Sequence, residues 1–336
     1  MMPHQYIERD TSELRTERLY RDRVVCFIYS RLREDAPFLF RLLTSRRASS
    51  LIAFLNYDLF LSRRIRGVVP FLTLSAIDRG EWLDPPQMLD TPKKIFERKI
   101  RYWQCRPMAD RKNSIVSPAD SRMLVGSLEN GSALFLKDKF FDLPDLVAKR
   151  VWVEAFERAD FALFRLTPDH YHYNHMPVSG RVIDFYEIHG VYHSCNPGAI
   201  VTLVSPYSKN ARVVTIIDSD VPGGSRVGLV AMIEVVALMI GKVRQQYSEY
   251  EYREPRPVEI GMFLEKGCPK SLYEPGSSTD ILLFQAGRIG FDAQLVLNME
   301  RPLASSRFTE AFGKPLLETE VKVRSQIGVA RSRASR

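Results

Sequence analysis

Apolar residues recur at three- and four-residue spacing from about residue 12 to residue 80, and no glycine interrupts them before Gly67. That spacing lays an apolar stripe along a helix, so it predicts a helical N-terminal region over residues 1–90. The segment EWLDPPQMLDTPKK then brings three prolines and several turn formers, which read as a linker or a change of layer. From about residue 96 the texture is different. Short apolar or alternating runs (SIVSP, ALFLK, FALFRL, RVIDFYEI, AIVTLVS, RVVTIID, RVGLVAMIEVVALMIGKV, TDILLFQ) are separated by Gly, Pro, Asn and Asp. The expected architecture is α+β, a helical N-terminal part followed by a strand-rich domain over residues 91–336.

No uninterrupted apolar run reaches the roughly 18 to 20 residues of a membrane-spanning helix. The stretch SSLIAFLNYDLFLSRRIRGVVPFLTLSAI is dominated by large apolar residues and broken by Arg63, Arg64 and Arg66. It suits either two core-facing helices with arginines at the solvent edge or a segment lying in a headgroup layer. The charge pattern bears on this choice. The formal net charge is +8, and residues 1–66 hold thirteen arginines, no lysine and eight acids. Arginines punctuating apolar clusters fit an anionic interface better than a nucleic-acid groove, for which no stacking platform or known module is present. Nucleic acid is therefore not an expected partner.

With 336 residues, 45% hydrophobic and 26% charged, the chain is long enough to bury a core without staples. The four cysteines, Cys26, Cys105, Cys195 and Cys268, form no Cys-x-x-Cys pair, which argues against a structural zinc or a dithiol and for a reducing compartment. The N-terminus alternates acids and arginines and does not resemble a secretory signal.

Candidate chemistry sits in four segments. In NSIVSPADSRM, Asp120 follows a Ser-Pro-Ala turn and precedes Arg122; alone, such an Asp reads as a turn cap. RLTPDHYHYNHMPVSGRV holds His170, His172 and His175, half of the six histidines. A metal site is disfavoured there, because no HExxH-type pattern or further ligand set accompanies them, and Pro168 and Pro177 oppose a long helix. GVYHSCNPGAI turns at Asn196, Pro197 and Gly198, and EKGCPKSLYEPGSSTDILLF runs through Gly276, Ser277, Ser278 and Thr279 into an apolar strand.

In content and in order these segments resemble the phosphatidylserine decarboxylase family, over roughly residues 92–330. FERKIRYWQCRPMADRKNSIVSPADSR matches its FxRKL...RP and SPADGR motifs, PDHYHYNHMPVSG its PxDYHxxHxPxxG motif, SCNP its S-x-NP loop, and KGCPKSLYEPGSST its KG...GGST cleavage site. EVVALMIGKV follows its VGAxxVG strand more loosely. Ser121, His170 and Ser277 depart from the usual residues.

The resemblance implies a proenzyme that cuts its own chain. Asp120 orients His175, His175 activates Ser278, and the Ser278 hydroxyl attacks the preceding carbonyl; elimination and hydrolysis then leave a covalent pyruvoyl group as cofactor. Counting from Lys266 and back from Phe284 aligns Ser278 with the family's nucleophile, with cleavage between Ser277 and Ser278; a GSS register would make Ser277 the nucleophile instead. The products would be a β chain of residues 1–277 and an α chain of residues 278–336. By the same resemblance the pyruvoyl forms a Schiff base with membrane phosphatidylserine, and phosphatidylethanolamine and carbon dioxide result. His172 is then expected to orient the substrate carboxylate or assist protonation, and Asn196 to contact substrate. A peripheral protein on the cytoplasmic face of the membrane, docked through residues 24–80 of a membrane-interfacial N-terminal region (1–90), and a homodimer, are also implied. Two other readings stay open: a pyruvoyl decarboxylase of a soluble amino acid, and a lipid-binding homologue that never cleaves.

Overall fold

A computed structural model describes residues 2–19, 22–45, 47–48, 51, 54, 77–128, 140–238, 242–276, 278–301 and 304–331. Among them are sixteen strands, the first eight being β1 (Gln5–Glu8), β2 (Leu14–Thr16), β3 (Ser114–Val116), β4 (Ser121–Ser127), β5 (Asp160–Leu166), β6 (Tyr173–His175), β7 (Gly180–Ile188) and β8 (Arg212–Asp218). The others are β9 (Leu229–Val236), β10 (Val243–Gln245), β11 (Phe263–Leu264), β12 (Pro269–Tyr273), β13 (Ser278–Phe284), β14 (Ile289–Phe291), β15 (Glu318–Val321) and β16 (Gln326–Ala330). Ten of them form one sheet in the order β11-β7-β8-β9-β13-β5-β4-β15-β1-β2. Its pairs are antiparallel except β1 with β15. Two three-stranded sheets, β10-β12-β6 and β14-β16-β3, complete the strand layers.

The central strands are buried on both faces, which is why they read as continuous apolar runs. Along β13, Ile281 and Leu283 enter one core with Leu163, Ile233 and Val214, while Leu282 and Phe284 enter the opposite core with Phe164 and Met232. The first core is closed by the short helices Leu143–Val147, Pro206–Lys209 and Arg307–Phe312. The second is closed by residues of the small sheets and their loops, among them Met176, Tyr247, Ile289 and Ile327. The predicted strand-rich domain is thus observed.

The N-terminal part needs a correction, because it is not wholly helical. Residues 5–8 and 14–16 are β1 and β2 at one edge of the large sheet, with Tyr6 in register with Glu318. Helical turns follow over Asp22–Phe27, Ile28–Leu32, Arg33–Asp35 and Pro37–Leu43, the break at Ala36 falling where Pro37 disfavours α geometry in its predecessor. They pack through Tyr29 and Phe40 onto Ala199 and Leu203. Arg63, Arg64 and Arg66 lie outside the described residues. Among the described residues no helix is long and apolar enough to cross a membrane.

Candidate active site

Ser278 opens β13, a central strand of the large sheet, and pairs with Leu166 of β5 and Val236 of β9. Gly276 in the preceding turn has φ +154°, a value that side-chain-bearing residues rarely adopt. Ser277 lies outside the described residues. The Ser278 hydroxyl is fully buried and has no hydrogen-bond partner among them. A buried, unsatisfied hydroxyl is costly to keep and calls for an explanation.

Asp120 stands in the turn between β3 and β4, where it does more than cap. Arg106 grips its carboxylate with both Nε (3.0 Å) and Nη2 (2.7 Å), and the Val323 amide donates to Oδ1 at 2.8 Å. Arg106 also spans Glu81 at 2.7 and 2.9 Å. Burial pushes the Asp120 carboxyl up, but Arg106 more than offsets that and holds it below the usual carboxylate range.

His175 ends β6. Its Nδ1 faces the Gly267 carbonyl at 2.8 Å and its Nε2 the Tyr171 hydroxyl at 3.0 Å, and Tyr171 meets the Tyr252 hydroxyl at 2.6 Å. Burial lowers the imidazole to about 3, against the opposing Gly267 contact, so it is neutral and able to accept a proton. The His175 amide donates to the Pro118 carbonyl at 2.7 Å, which brings it beside the turn that carries Asp120. Among the described residues no hydrogen bond links Asp120, His175 and Ser278 to one another; each of the first two is held by other groups.

His172 is fully buried and both ring nitrogens lack partners among the described residues. Its ring lies on Phe96 with centroids 3.5 Å apart, and its carbonyl accepts from the Tyr273 amide at 3.1 Å. Burial first, and Arg98 second, lower its pKa well below the ordinary histidine value. His170, at a departure from the family pattern, is accounted for locally: Nδ1 accepts the Thr167 amide at 3.1 Å and Nε2 faces Glu320 at 3.4 Å. Asn196 caps the helix Pro197–Ile200, its Oδ1 accepting from Gly198 at 2.8 Å. In the same loop, Cys195 Sγ accepts from the Thr279 hydroxyl at 3.2 Å, which ties this loop to the residue after Ser278.

One cluster escapes motif reading. Glu234 and Asp280 face each other across β9 and β13, both fully buried. Glu234 receives Lys270 Nζ (2.6 Å), Gln245 Nε2 (2.9 Å), Asn174 Nδ2 (3.2 Å) and the Ser271 hydroxyl. Asp280 Oδ1 accepts from Tyr273 at 2.7 Å, while Oδ2 has no partner among the described residues. The sequence signal was a charge inside each of two apolar strands, Glu234 in AMIEVV and Asp280 in STDILLF.

The sequence pattern of the family described as phosphatidylserine decarboxylase matches residues 93–310. The chain is 29% identical over 293 residues to a phosphatidylserine decarboxylase proenzyme of Chlamydia trachomatis serovar D, covering 87% of this chain and 90% of that one. It is 25% identical over 312 residues to the proenzyme of Fusobacterium nucleatum subsp. nucleatum, covering 92% and 97%. It is 30% identical over 244 residues to phosphatidylserine decarboxylase proenzyme 2 of Oryza sativa subsp. japonica, which takes in 71% of this chain but only 36% of that longer protein.

Proposed function

The chain belongs to the phosphatidylserine decarboxylase family, and from that premise we propose how its own residues convert phosphatidylserine to phosphatidylethanolamine and carbon dioxide. Ser278 is the nucleophile of self-cleavage and the source of the pyruvoyl group, and Ser277 gives up the scissile carbonyl. The observation that carries this reading is the Ser278 hydroxyl, buried without a partner among the described residues at the head of a central strand behind a glycine turn. Such a hydroxyl is free to attack its own preceding carbonyl. His175 is neutral and beside the Asp120 turn, which suits it to take the Ser278 proton once the Tyr171 contact is released. Asp120, fixed as a carboxylate by Arg106, favours the imidazolium that results.

A pyruvoyl carbonyl at residue 278 supplies an electron sink for the pair left behind when carbon dioxide departs. His172, with two unpartnered ring nitrogens, is suited to hold the substrate carboxylate or to return a proton to the carbon it leaves. Asn196, whose side-chain oxygen is spent on a helix cap and whose amide group is engaged by the Asp22 carboxylate, supports the loop beneath Thr279, and a contact with substrate would have to compete with Asp22.

The helical turns over residues 22–43 dock on the membrane. Val24, Phe27, Phe38, Leu39 and Leu42 are exposed there, Phe38 to 81%, and Arg23, Arg31 and Arg41 are exposed between them. A lipid substrate makes such a face useful, and this separates the reading from a decarboxylase of a soluble amino acid. The interface meant is the cytoplasmic face of the membrane, and a homodimer remains part of the proposal.

Denaturing intact mass of the purified chain beside Ser278→Ala tests the maturation. The expected result is a fragment starting at residue 278 and about 17 Da lighter than its sequence, one ammonia, absent from the variant. A cut one residue earlier would transfer the role to Ser277. A chain that stays whole on incubation would leave the lipid-binding homologue as the better reading.

A further inference from the structure

The carboxyls of Glu234 and Asp280 face each other in the interior, and among the described residues the ammonium that reaches them is that of Lys270. Two buried carboxylates facing each other with one cation hold one proton between them. The hydrogen bonds say where it resides. Glu234 has four donors on its two oxygens, as an anion requires, whereas Asp280 has only the Tyr273 hydroxyl on Oδ1 and nothing on Oδ2. The proton therefore sits on Asp280 Oδ2, and burial followed by the Glu234 charge pushes this carboxyl well above its ordinary range. Tyr273 additionally donates to the Thr279 carbonyl at 3.1 Å, which fixes the acid against the backbone of the strand it belongs to.

Its position gives that proton a destination. Ser278 and Asp280 are two residues apart on β13, so their side chains leave the same face of the sheet, with about 7 Å between Cα atoms. Both present a buried polar atom without a partner among the described residues, Ser278 Oγ and Asp280 Oδ2. Besides Glu234, the acid faces Phe164, which pairs with it from β5, and Tyr273 and the Lys270 charge from the small sheet above, where Asn174, Gln245 and Ser271 complete the Glu234 and Lys270 side.

We propose that Asp280 is the acid that completes the pyruvoyl group, protonating the side-chain carbon of residue 278 after the chain has been cut. This rests on the reading of Ser278 as the nucleophile. Elimination of the ester leaves residue 278 as an aminoacrylate, CH2=C(NH2)–CO–. Asp280 Oδ2–H gives its proton to the methylene carbon, and the nitrogen lone pair moves into the carbon–nitrogen bond to give the methyl iminium. Water adds, the carbon–nitrogen bond breaks, the ketone forms, and the nitrogen leaves as ammonia after returning one proton to the Asp280 carboxylate. No electrons are gained or lost, and water is the only co-reactant.

The test separates cutting from completion in the full-length chain as it matures. Denaturing mass follows the cut, and reaction with hydrazine follows the new carbonyl. Asp280→Asn should cut at close to the wild-type rate while carbonyl formation lags about a hundredfold, the usual contribution of a positioned acid. Its fragment should persist about 18 Da lighter than the sequence, one water, and should add 2-mercaptoethanol, as an aminoacrylate does. Carbonyl formation that keeps pace with cutting overturns the proposal, and so does a folded Asp280→Asn chain that never cuts. Should that variant fail to fold, Tyr273→Phe decides: a carbonyl lag of about threefold with normal cutting supports the acid, and no lag overturns it. Failure of the underlying reading shows separately, as an uncut wild type or a cut at another residue.

Discussion

Asp120 and Arg106 form a pair that cannot be loosened from one side. Both are buried, Arg106 spends its guanidinium on Asp120 and Glu81 together, and Asp120 has the Val323 amide as its other donor. Arg106→Met would leave a buried carboxylate with a single amide, a change that typically costs about 3–5 kcal/mol. We expect the variant to lose stability of that order in urea unfolding, measured on the uncut Ser278→Ala chain so that cleavage does not intervene. Self-cleavage in the otherwise native chain should slow, since Asp120 would be driven toward its neutral acid. Unchanged unfolding and unchanged cleavage would show that Asp120 is held by its turn alone. Asp120 itself was legible from the Ser-Pro-Ala-Asp segment, and Arg106 stood in plain view as the Arg of the Arg-Pro pair. Their bond was not legible, because the two stand fourteen positions apart with a loop and β3 between them, and no local pattern records a contact across such a gap. Glu234 and Asp280 were harder still: each sits in an apolar strand, and only register pairing puts the two face to face.

At the scale of elements, period-two and continuous apolar runs located the central strands because those strands are buried on both sides and must be apolar throughout. The edge strands β1 and β2 escaped for the opposite reason. Leu14–Thr16 is wholly exposed, and β1 buries fully only Ile7 and is held by pairing with β15, more than three hundred residues away, so neither carries a repeating burial signature of its own. The helical turns that follow are fastened by one face: the Tyr29 hydroxyl accepts the Ser194 amide at 2.7 Å, Tyr29 packs edge-on to Phe40, and Phe40 stacks on His193. That contact reaches the loop whose Cys195 receives the Thr279 hydroxyl, so the proposed membrane face and the reacting strand share one support. The opposite face carries the exposed Phe27 and Phe38. Phe38→Asp should weaken binding to phosphatidylserine vesicles by about tenfold or more, since burying a phenylalanine side chain is worth about 1.5–3 kcal/mol. Binding should also fall with added salt, at about 1 kcal/mol for each arginine engaged at the surface. Sedimentation with vesicles across a salt series reads both effects. Binding indifferent to Phe38 and to salt would remove this face from the proposal.

Across the whole molecule, buried charge is concentrated where the two halves of the proposed cut would meet. Glu318 of β15, in the α-chain portion, contacts His4 and Arg165 at 2.8 and 2.5 Å, and Glu17 joins Arg165 and Arg122 at 2.6 and 2.5 Å. With β13 paired on both sides, this network should keep the α chain in place after cleavage. The same burial makes stability depend on acid in a defined sense. His172, His175 and His193 are neutral when folded, burial being the leading cause, with His175 lowered to about 3 and His193 to about 4 from an unfolded value of 6.5. Groups lowered in this way contribute fully above pH 6.5, and their contribution is lost as pH falls toward the folded values. Asp280 works in the other direction, because its folded pKa is raised: below the unfolded value of 3.8 its contribution is fully present, and it declines as pH rises from there. Between about pH 4.5 and 6 the unfolded chain therefore binds three extra protons at the histidines and lacks one at Asp280, a net of two. Linkage converts that into roughly 3 kcal/mol of stability lost per pH unit. Urea midpoints of the uncut Ser278→Ala chain at pH 7.5, 6 and 5 should fall accordingly, and His193→Gln should roughly halve the slope by removing one of the two net protons. A midpoint independent of pH over this range would mean that these histidines reach water in the folded protein, and with it the neutral, proton-accepting state assigned to His175 would fall.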